Sequence, residues 1–525
     1  MTGTARLLGF LLRRERLSLP WWLAGVTLLL FVQSTQSQEL YGTAAELETL
    51  RQTIGANTAV IAMSGPPELL RSIGGEIVFE IFGFLAIVVA LMNMFLVGRH
   101  TRADEESGRA ELIRSARVGR RAPLAAALLL AGLADVAAGL LVFAVAVGTG
   151  LPIAGSALFG AAVTGVGLFF GAATAAAAQV FESTRAVYGT VAALLGAAFA
   201  LRAAGDVGDG TLSWASPIGW GQRAYPFAGD RWWALLLPVA AAVLLGAVAV
   251  ALLARRDLGA GLVATRLGRA QASAVLRGPY ALAWRLQRGS LAGWAAGLFL
   301  AGVAYGSIAE SIQDYVRDNP EIAQFLTGGA DDIINAYLAV TAGMAALLAA
   351  AYGVSSVLRA RTEETSGRAE VVLATATSRW TWLAGQLSVA VLGTVLTLVA
   401  FGIGEGFAYG MSVSDPGQVP RLVGVALAYV PAVWLVVGVT VLAFGWLPRP
   451  ATIVAWAVIA YCAVITLFAD SFGLPGWSRQ ASPFVHTPQV PLDAATAPPF
   501  ALLTLIAAAL VAAGYAGLRR RDVGY

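Results

Sequence analysis

The sequence has no lysine, a single cysteine, Cys462, and only two histidines, His100 and His486. Each shortage excludes a class of chemistry. With one cysteine no intrachain disulfide forms, so outer loops must hold their shape by packing and hydrogen bonds, and Cys462, inside an apolar run, is read as a buried inert thiol. Without lysine there is no Gly-x-x-x-x-Gly-Lys-[Ser/Thr] phosphate-binding loop, and the chain is read as one that does not itself hydrolyse ATP. The two histidines fall on opposite predicted sides of a membrane, which leaves a histidine-rich metal site or a serine–histidine triad without support; each is read as an interface residue. Charge is scarce too: 13% of residues are charged against 58% hydrophobic, with a mean hydropathy of +0.72, where a soluble chain carries about 25% charged residues. The bulk solvent of this chain is lipid, and nothing in its net charge of +4 indicates nucleic-acid binding.

What is present is a series of apolar runs long enough to cross a bilayer. Six lie at about 17–32, 77–98, 123–148, 151–180, 185–201 and 232–254, and six more at about 290–309, 333–358, 383–409, 422–447, 451–469 and 500–518. The first has no A-x-A-like cleavage site after it and is read as a retained span. With the N-terminus inside, twelve spans return the C-terminus inside, and 27 of the 35 arginines then fall on the inner side and 8 on the outer, as the positive-inside rule requires. Gly167xxxGly171 and Gly406xxxGly410 are read as packing features that let backbones approach. Trp21, Trp22, Trp232, Trp233, Trp380 and Trp382 lie at predicted membrane interfaces.

The string Ser107-Gly108-Arg109-Ala110-Glu111 recurs as Ser366-Gly367-Arg368-Ala369-Glu370, each copy preceded by acids and placed after the second span of its half. Ser216-Pro217 matches Ser482-Pro483, Arg16-Leu17-Ser18-Leu19 matches Arg288-Gly289-Ser290-Leu291, and Arg255-Arg256-Asp257 matches Arg520-Arg521-Asp522 in the same order. The expected architecture is all-α and integral to the membrane: twelve transmembrane helices as two parallel six-helix repeats, residues 1–261 and 278–525, joined by a cytoplasmic connector at 262–277.

Each repeated loop, 99–122 and 359–382, is too polar to span. Glu105 and Arg109 stand i, i+4, as do Glu364 and Arg368, which favours a short surface helix, and residues 101–104 resemble a helix-start capping box. Gly108 and Gly367 inside such a helix cost about 1 kcal/mol each relative to alanine, so their repetition suggests a bend or a close approach, which suits a docking surface. Among intramembrane residues, Asp135 sits mid-span and is a functional candidate or a hydrogen-bonded structural group. The segments 213–229 and 473–499, rich in Pro, Gly and aromatics, are expected to be short re-entrant pieces. The loop 33–75 is expected to carry a helix at 46–51.

The two-half layout with its acidic SGRAE loops resembles the ABC-2 type permeases of actinobacteria, particularly the tetronasin-resistance or polyketide-antibiotic exporter group, over essentially the whole chain. The resemblance implies a permease of an ATP-driven exporter in the bacterial cytoplasmic membrane, with both termini cytoplasmic and lipophilic antibiotics, drugs or lipid-like compounds as cargo. It implies no cofactor on this chain, with ATP and Mg held by two copies of a separate ATPase subunit. It assigns coupling to that ATPase to Arg102, Glu105, Gly108, Arg109 and Glu111 and to Arg361, Glu364, Gly367, Arg368 and Glu370. It also implies amphipathic segments at 4–16 and 275–288, and a substrate path between the halves, for which Phe82, Met92, Asn93, Met94, Phe95 and Asp135 are the candidates. A proton-coupled drug antiporter, with Asp135 as proton carrier, is the competing expectation.

Overall fold

The computed structural model describes residues 2–53, 55, 58–263, 271–273, 276–318, 330–468 and 475–522. Among the described residues the regular secondary structure is helical, with one isolated bridge between Phe181 and Val263, and eleven helical stretches are long and apolar enough to cross a membrane. The expected all-α membrane class is thus observed. The twelfth expected span is present as a shorter apolar helix, Ala451–Phe468. The chain divides into two compact units, Met1–Gly268 and Arg269–Tyr525.

In the first unit α1 (Thr4–Glu15) precedes the spans α2 (Ser18–Leu40) and α3 (Ile73–Gly98). The short α4 (Arg109–Arg114) follows, then α5 (Ala122–Gly148), α6 (Ile153–Val180), α7 (Thr184–Val207) and α8 (Leu236–Arg255). Its centre is α3 and α6, whose faces carry Phe79, Phe82, Leu85, Val89, Phe159, Val166 and Phe170, all sealed from solvent and lipid. Without a hydrophobic gradient between helix and lipid, such packing depends on close fit. A Cβ on Gly139 or Gly160 would strike the other's backbone across the α5–α6 contact, so glycine is required at both.

The second unit contains α9 (Pro279–Asp318), α10 (Ala330–Thr365), the short α11 (Arg368–Leu373) and α12 (Arg379–Ser412). It ends with α13 (Gln418–Ala428), α14 (Val430–Trp446), α15 (Ala451–Phe468) and α16 (Ala497–Arg520). The stretch expected as one span at 422–447 is present as one membrane-length helical stretch, Gln418–Trp446, kinked at Tyr429 because Pro431 in the first turn of α14 has no N–H to continue the ladder. The expected separate surface segment at 275–288 is not separate either: from Pro279 it is continuous with the span α9. Gly402, Gly406 and Gly410 let α12 lie against the backbone of residues 415–423.

The outer segments carry further short helices. Ala44–Thr53 covers the expected helix at 46–51, and its start is a capping box in which Thr43 N–H donates to Glu46 Oε2 at 2.9 Å. Pro217–Gln222 is buried, with Ser216 as N-cap, and Gly476–Gln480 follows Pro475; Gly473 lies outside the described residues. Trp21 is 80% exposed, whereas Trp382 is 4% exposed and packs on Phe444.

Candidate functional site

Both SGRAE loops are built the same way. The second span of each unit continues past its apolar end, through a π-helical turn at Arg99–Ala103 in the first unit and within α10 in the second, until the chain turns at Gly108 or Gly367. These glycines have φ of 73° and 71°, the left-handed region that a side chain disfavours, and each is the N-cap of the short helix that follows. The chain therefore bends at the repeated glycines, as their repetition suggested, and the helix does not continue through them. Two expectations fall with that continuity. Residues 101–104 end a helix instead of starting one, and the i, i+4 pairs Glu105–Arg109 and Glu364–Arg368 are not formed, because the reversal at the glycine destroys the helical register. Arg109 instead reaches Asp104 at 3.4 Å, and Arg368 reaches Glu363 at 3.1 Å.

Released from that pairing, Glu105 and Glu364 turn inward. Glu105 accepts two parallel hydrogen bonds from Arg256, at 2.6 and 2.8 Å, and a third from Arg102. Glu364 accepts from both terminal nitrogens of Arg521, one at 3.0 Å, and from Arg361 at 3.3 Å. Such fork-to-fork geometry is the strong form of the arginine–carboxylate bond. The partner arginines stand just beyond the last span of their units, after α8 and α16. A third contact repeats as well: Arg120 donates to the Arg256 carbonyl at 2.7 Å, and Arg379 donates to the Arg521 carbonyl at 2.7 Å. Each loop thus joins the second span to the end of the last one. The arginines Arg256 and Arg521 were visible in the sequence as a repeated Arg-Arg-Asp string, but 151 and 157 residues separate them from their glutamates, so spacing alone could not pair them.

The outward face of the loop is as regular. Leu112 is 75% exposed and Val371 73%, and they occupy matching positions four residues past the glycine. Glu111 and Glu370 flank them, both exposed. These exposed aliphatic tips went unnoticed in the sequence because nothing marks a leucine in an arginine-rich loop as outward-facing.

The loops differ in what surrounds them. In the first unit the surface helix α1 is bolted to the end of α3: Arg14 donates to both oxygens of Asp104 at 3.0 and 2.8 Å, and Glu15 meets His100 Nε2 at 2.8 Å and Arg99 at 2.9 Å. Burial would raise the Glu15 carboxyl, but the His100 hydrogen bond and the charges of Arg99 and His100 outweigh it and bring it down to about 2. His100 is therefore the buried centre of an ion cluster at the end of the second span, whereas His486 is exposed. Glu106 caps α7 by accepting from Thr184 N–H at 2.8 Å. In the second unit Arg359 replaces His100, Gln287 replaces Glu15 and Thr365 replaces Glu106. Gln287 there joins Ser356 and Gln386 through neutral bonds of 2.6 Å.

Of the residues expected on a substrate path, Phe82, Met92, Asn93, Met94 and Asp135 are buried within the first unit and Phe95 is half-buried. Asn93 Nδ2 donates to Asp135 Oδ1 at 2.6 Å. Gly167 and Gly171 leave room for this pair, since a Cβ at either would run into Asp135 or Asn93. Met92 and Phe95 line a small cavity with Trp22, Leu19 and Arg99. Among the described residues no group of three metal-ligating side chains converges.

A family model described as the C-terminal domain of the multidrug efflux system permease Rv1217c matches residues 276–519. The multidrug efflux system permease protein Rv1217c of Mycobacterium tuberculosis is 42% identical to this chain over 526 residues, spanning 99% of this chain and 95% of that protein.

Proposed function

The chain belongs to the family of multidrug efflux system permeases, and on that footing we propose that it is the membrane-spanning subunit of an ATP-driven exporter of the ABC-2 type. ATP and Mg would be held by two copies of a separate ATPase, and the cargo would be lipophilic antibiotics, drugs or lipid-like compounds, as in the tetronasin-resistance group. In this reading the chain lies in the bacterial cytoplasmic membrane with both termini cytoplasmic, and residues 1–261 and 278–525 act as parallel repeats around the connector 262–277.

The observation that carries the proposal is the duplicated loop. An exposed aliphatic residue stands on a short helix whose base, through Glu105 and Arg256 or Glu364 and Arg521, is rigidly joined to two spans. A push on Leu112 or Val371 is then delivered to the second and last spans together. Arg102 and Arg361 brace the glutamates, Gly108 and Gly367 make the turn, and Arg109 and Arg368 close it against Asp104 and Glu363. Conformational work of this kind needs no covalent chemistry in the chain.

The test is replacement of Leu112 and Val371 by Asp in one chain. Both side chains are mostly exposed, so the fold should change by no more than about 0.5 kcal/mol. The expected result is loss of co-purification with the ATPase and of drug-stimulated ATP hydrolysis. Unchanged association and hydrolysis would sink the docking role.

One observation favours a proton-coupled antiporter instead. Asp135 and Glu405, sealed inside the two units, each keep one oxygen without a hydrogen-bond partner. Drug transport by the isolated chain, driven by a proton gradient with no ATPase present, would establish that reading.

A further inference from the structure

Asp206 in α7 is paired with Arg202 and Arg223; among the described residues, the other buried or half-buried intramembrane carboxylates fall into two kinds. Asp135 bonds Asn93 and Glu405 accepts from Thr341 at 2.6 Å, and both are completely enclosed by helices that meet through glycine, at Gly167 and at Gly302 and Gly306. Each hydrogen-bonds to a neighbouring helix. Glu76 and Glu80 are different. They stand i, i+4 in the first two turns of α3, with Glu80 about 10 Å from the helix start at 1.5 Å per residue. Glu80 is half-buried and accepts from Gln33 of α2 at 2.9 Å, and Gln33 also donates to Ser37 at 3.0 Å. Glu76 is 0% exposed; the Ser37 hydroxyl lies beside its carboxyl, but neither oxygen takes part in a well-formed hydrogen bond. Among the described residues no arginine or histidine forms an ion pair with either carboxylate.

A fully buried carboxyl without a well-formed hydrogen bond is rare and calls for an explanation, and an ionisable pair in a span is costly unless it has a use. The scaffold does not require this pair, because the matching positions of the second unit hold Asn335 and Ala339. Asn335 is occupied with Arg421 at 2.7 Å. What is duplicated in this chain serves the frame and the loops; Glu76 and Glu80 occur once.

We propose that Glu76 and Glu80, with Gln33 and Ser37, form a binding site for the ammonium group of a lipophilic amine. Two carboxylates offer acceptors to the N–H donors of one ammonium, and the side-chain oxygens of Gln33 and Ser37 add further acceptors beside them. A calcium ion would need six or more oxygens, and among the described residues no group of three acidic, histidine or cysteine side chains converges. The amine's apolar body has a surface to lie on: Phe84, one turn beyond Glu80, is 53% exposed. The proposal rests on the efflux reading for its purpose, but its site is tested without the ATPase.

The experiment uses the full chain purified into phosphatidylglycerol nanodiscs and titrated with dansylcadaverine, a fluorescent lipophilic primary amine, and with its N-acetylated neutral form. The wild-type chain should bind the amine saturably. Glu80→Gln and Glu76→Gln should each weaken that binding at least about tenfold, the scale of one hydrogen bond to a charged group, and leave the weak binding of the acetylated form unchanged. Glu80→Asp, which keeps the charge, should stay within a few fold of wild type and so separates charge from packing. Doping the discs with phosphatidylethanolamine identifies the source of the ammonium: competition marks a lipid headgroup, no competition a transported amine, and either keeps the site. Equal affinity in wild type and both glutamine variants overturns the proposal, and so does equal loss of the charged and neutral probes. Failure here leaves the loop-docking assay with Leu112→Asp and Val371→Asp untouched, so the two readings fail separately.

Discussion

Replacing Glu105 by glutamine should destabilise the chain more than the matching change at Glu364, and the difference follows from burial. The Glu105 carboxylate neutralises two guanidiniums, Arg102 and Arg256, whose side chains are 0% and 3% exposed. Removing its charge leaves both arginines in a low-dielectric setting without a counter-ion, a loss of about 3–5 kcal/mol. Glu364 serves Arg361 and Arg521, whose side chains are 17% and 15% exposed. Water reaches these arginines, screens them and partly solvates them when the carboxylate is lost, so about half that cost is expected. The measurement is unfolding of the purified chain by SDS titration, followed by tryptophan fluorescence, for E105Q, E364Q, R256M and the double variant E105Q/R256M. In the cycle, the double variant should recover at least about 1.5 kcal/mol of the sum of the single losses, because removing Arg256 relieves one of the unpaired charges. Additive losses at 105 and 256, or a larger loss for E364Q than for E105Q, would refute the account of the loop as a buried strut.

Three further outcomes are expected. Gly108→Ala meets open space, so its whole cost is the positive φ of 73°, about 1–2 kcal/mol, and Gly108→Asn should recover part of it; Gly367 should behave alike, both read by SDS titration. Gly167→Ala places a methyl group against Asp135 and Val89, and this overpacking should cost about 1–3 kcal/mol, with a matching fall in unfolding midpoint. The bolt from α1 to α3 should be acid-sensitive: because Glu15 is held down at about 2 against an ordinary 4.5, its stabilisation is complete above about pH 4.5 and is lost as the pH falls through about 2. The shift corresponds to roughly 3 kcal/mol. Hydrogen exchange of the α1 amides, corrected for intrinsic rates, should accelerate in that window in the wild type, whereas in Glu15→Gln it should already be fast at neutral pH.

Much of the frame was legible because hydropathy over about twenty residues is a strong signal and each long apolar run became a helix. Its ends were less legible. Ser18–Leu40 runs well past the apolar stretch at 17–32, since Gln33, Ser34 and Ser37 find partners in the protein and need not leave the helix. The kink at Tyr429 was not legible because Pro431 sits within a run that is otherwise apolar. The duplicated loops were found as strings, and their glycines were rightly marked as bends, but the pairing drawn from i, i+4 spacing assumed a continuous helix that those same glycines interrupt.

That error is informative about how the chain separates its tasks. Local spacing could not reveal that Glu105 and Glu364 face Arg256 and Arg521, because those bonds exist only once the last span has returned to the second. Repetition could have revealed it: two acids and two arginines that recur in the same order are under one geometric constraint, and the constraint is the strut. The same logic runs the other way for Glu76 and Glu80. A residue pair that the frame does not repeat is not required by the frame, and in a chain whose two halves share their joints, the unshared polar groups are where selectivity for a passenger has room to reside.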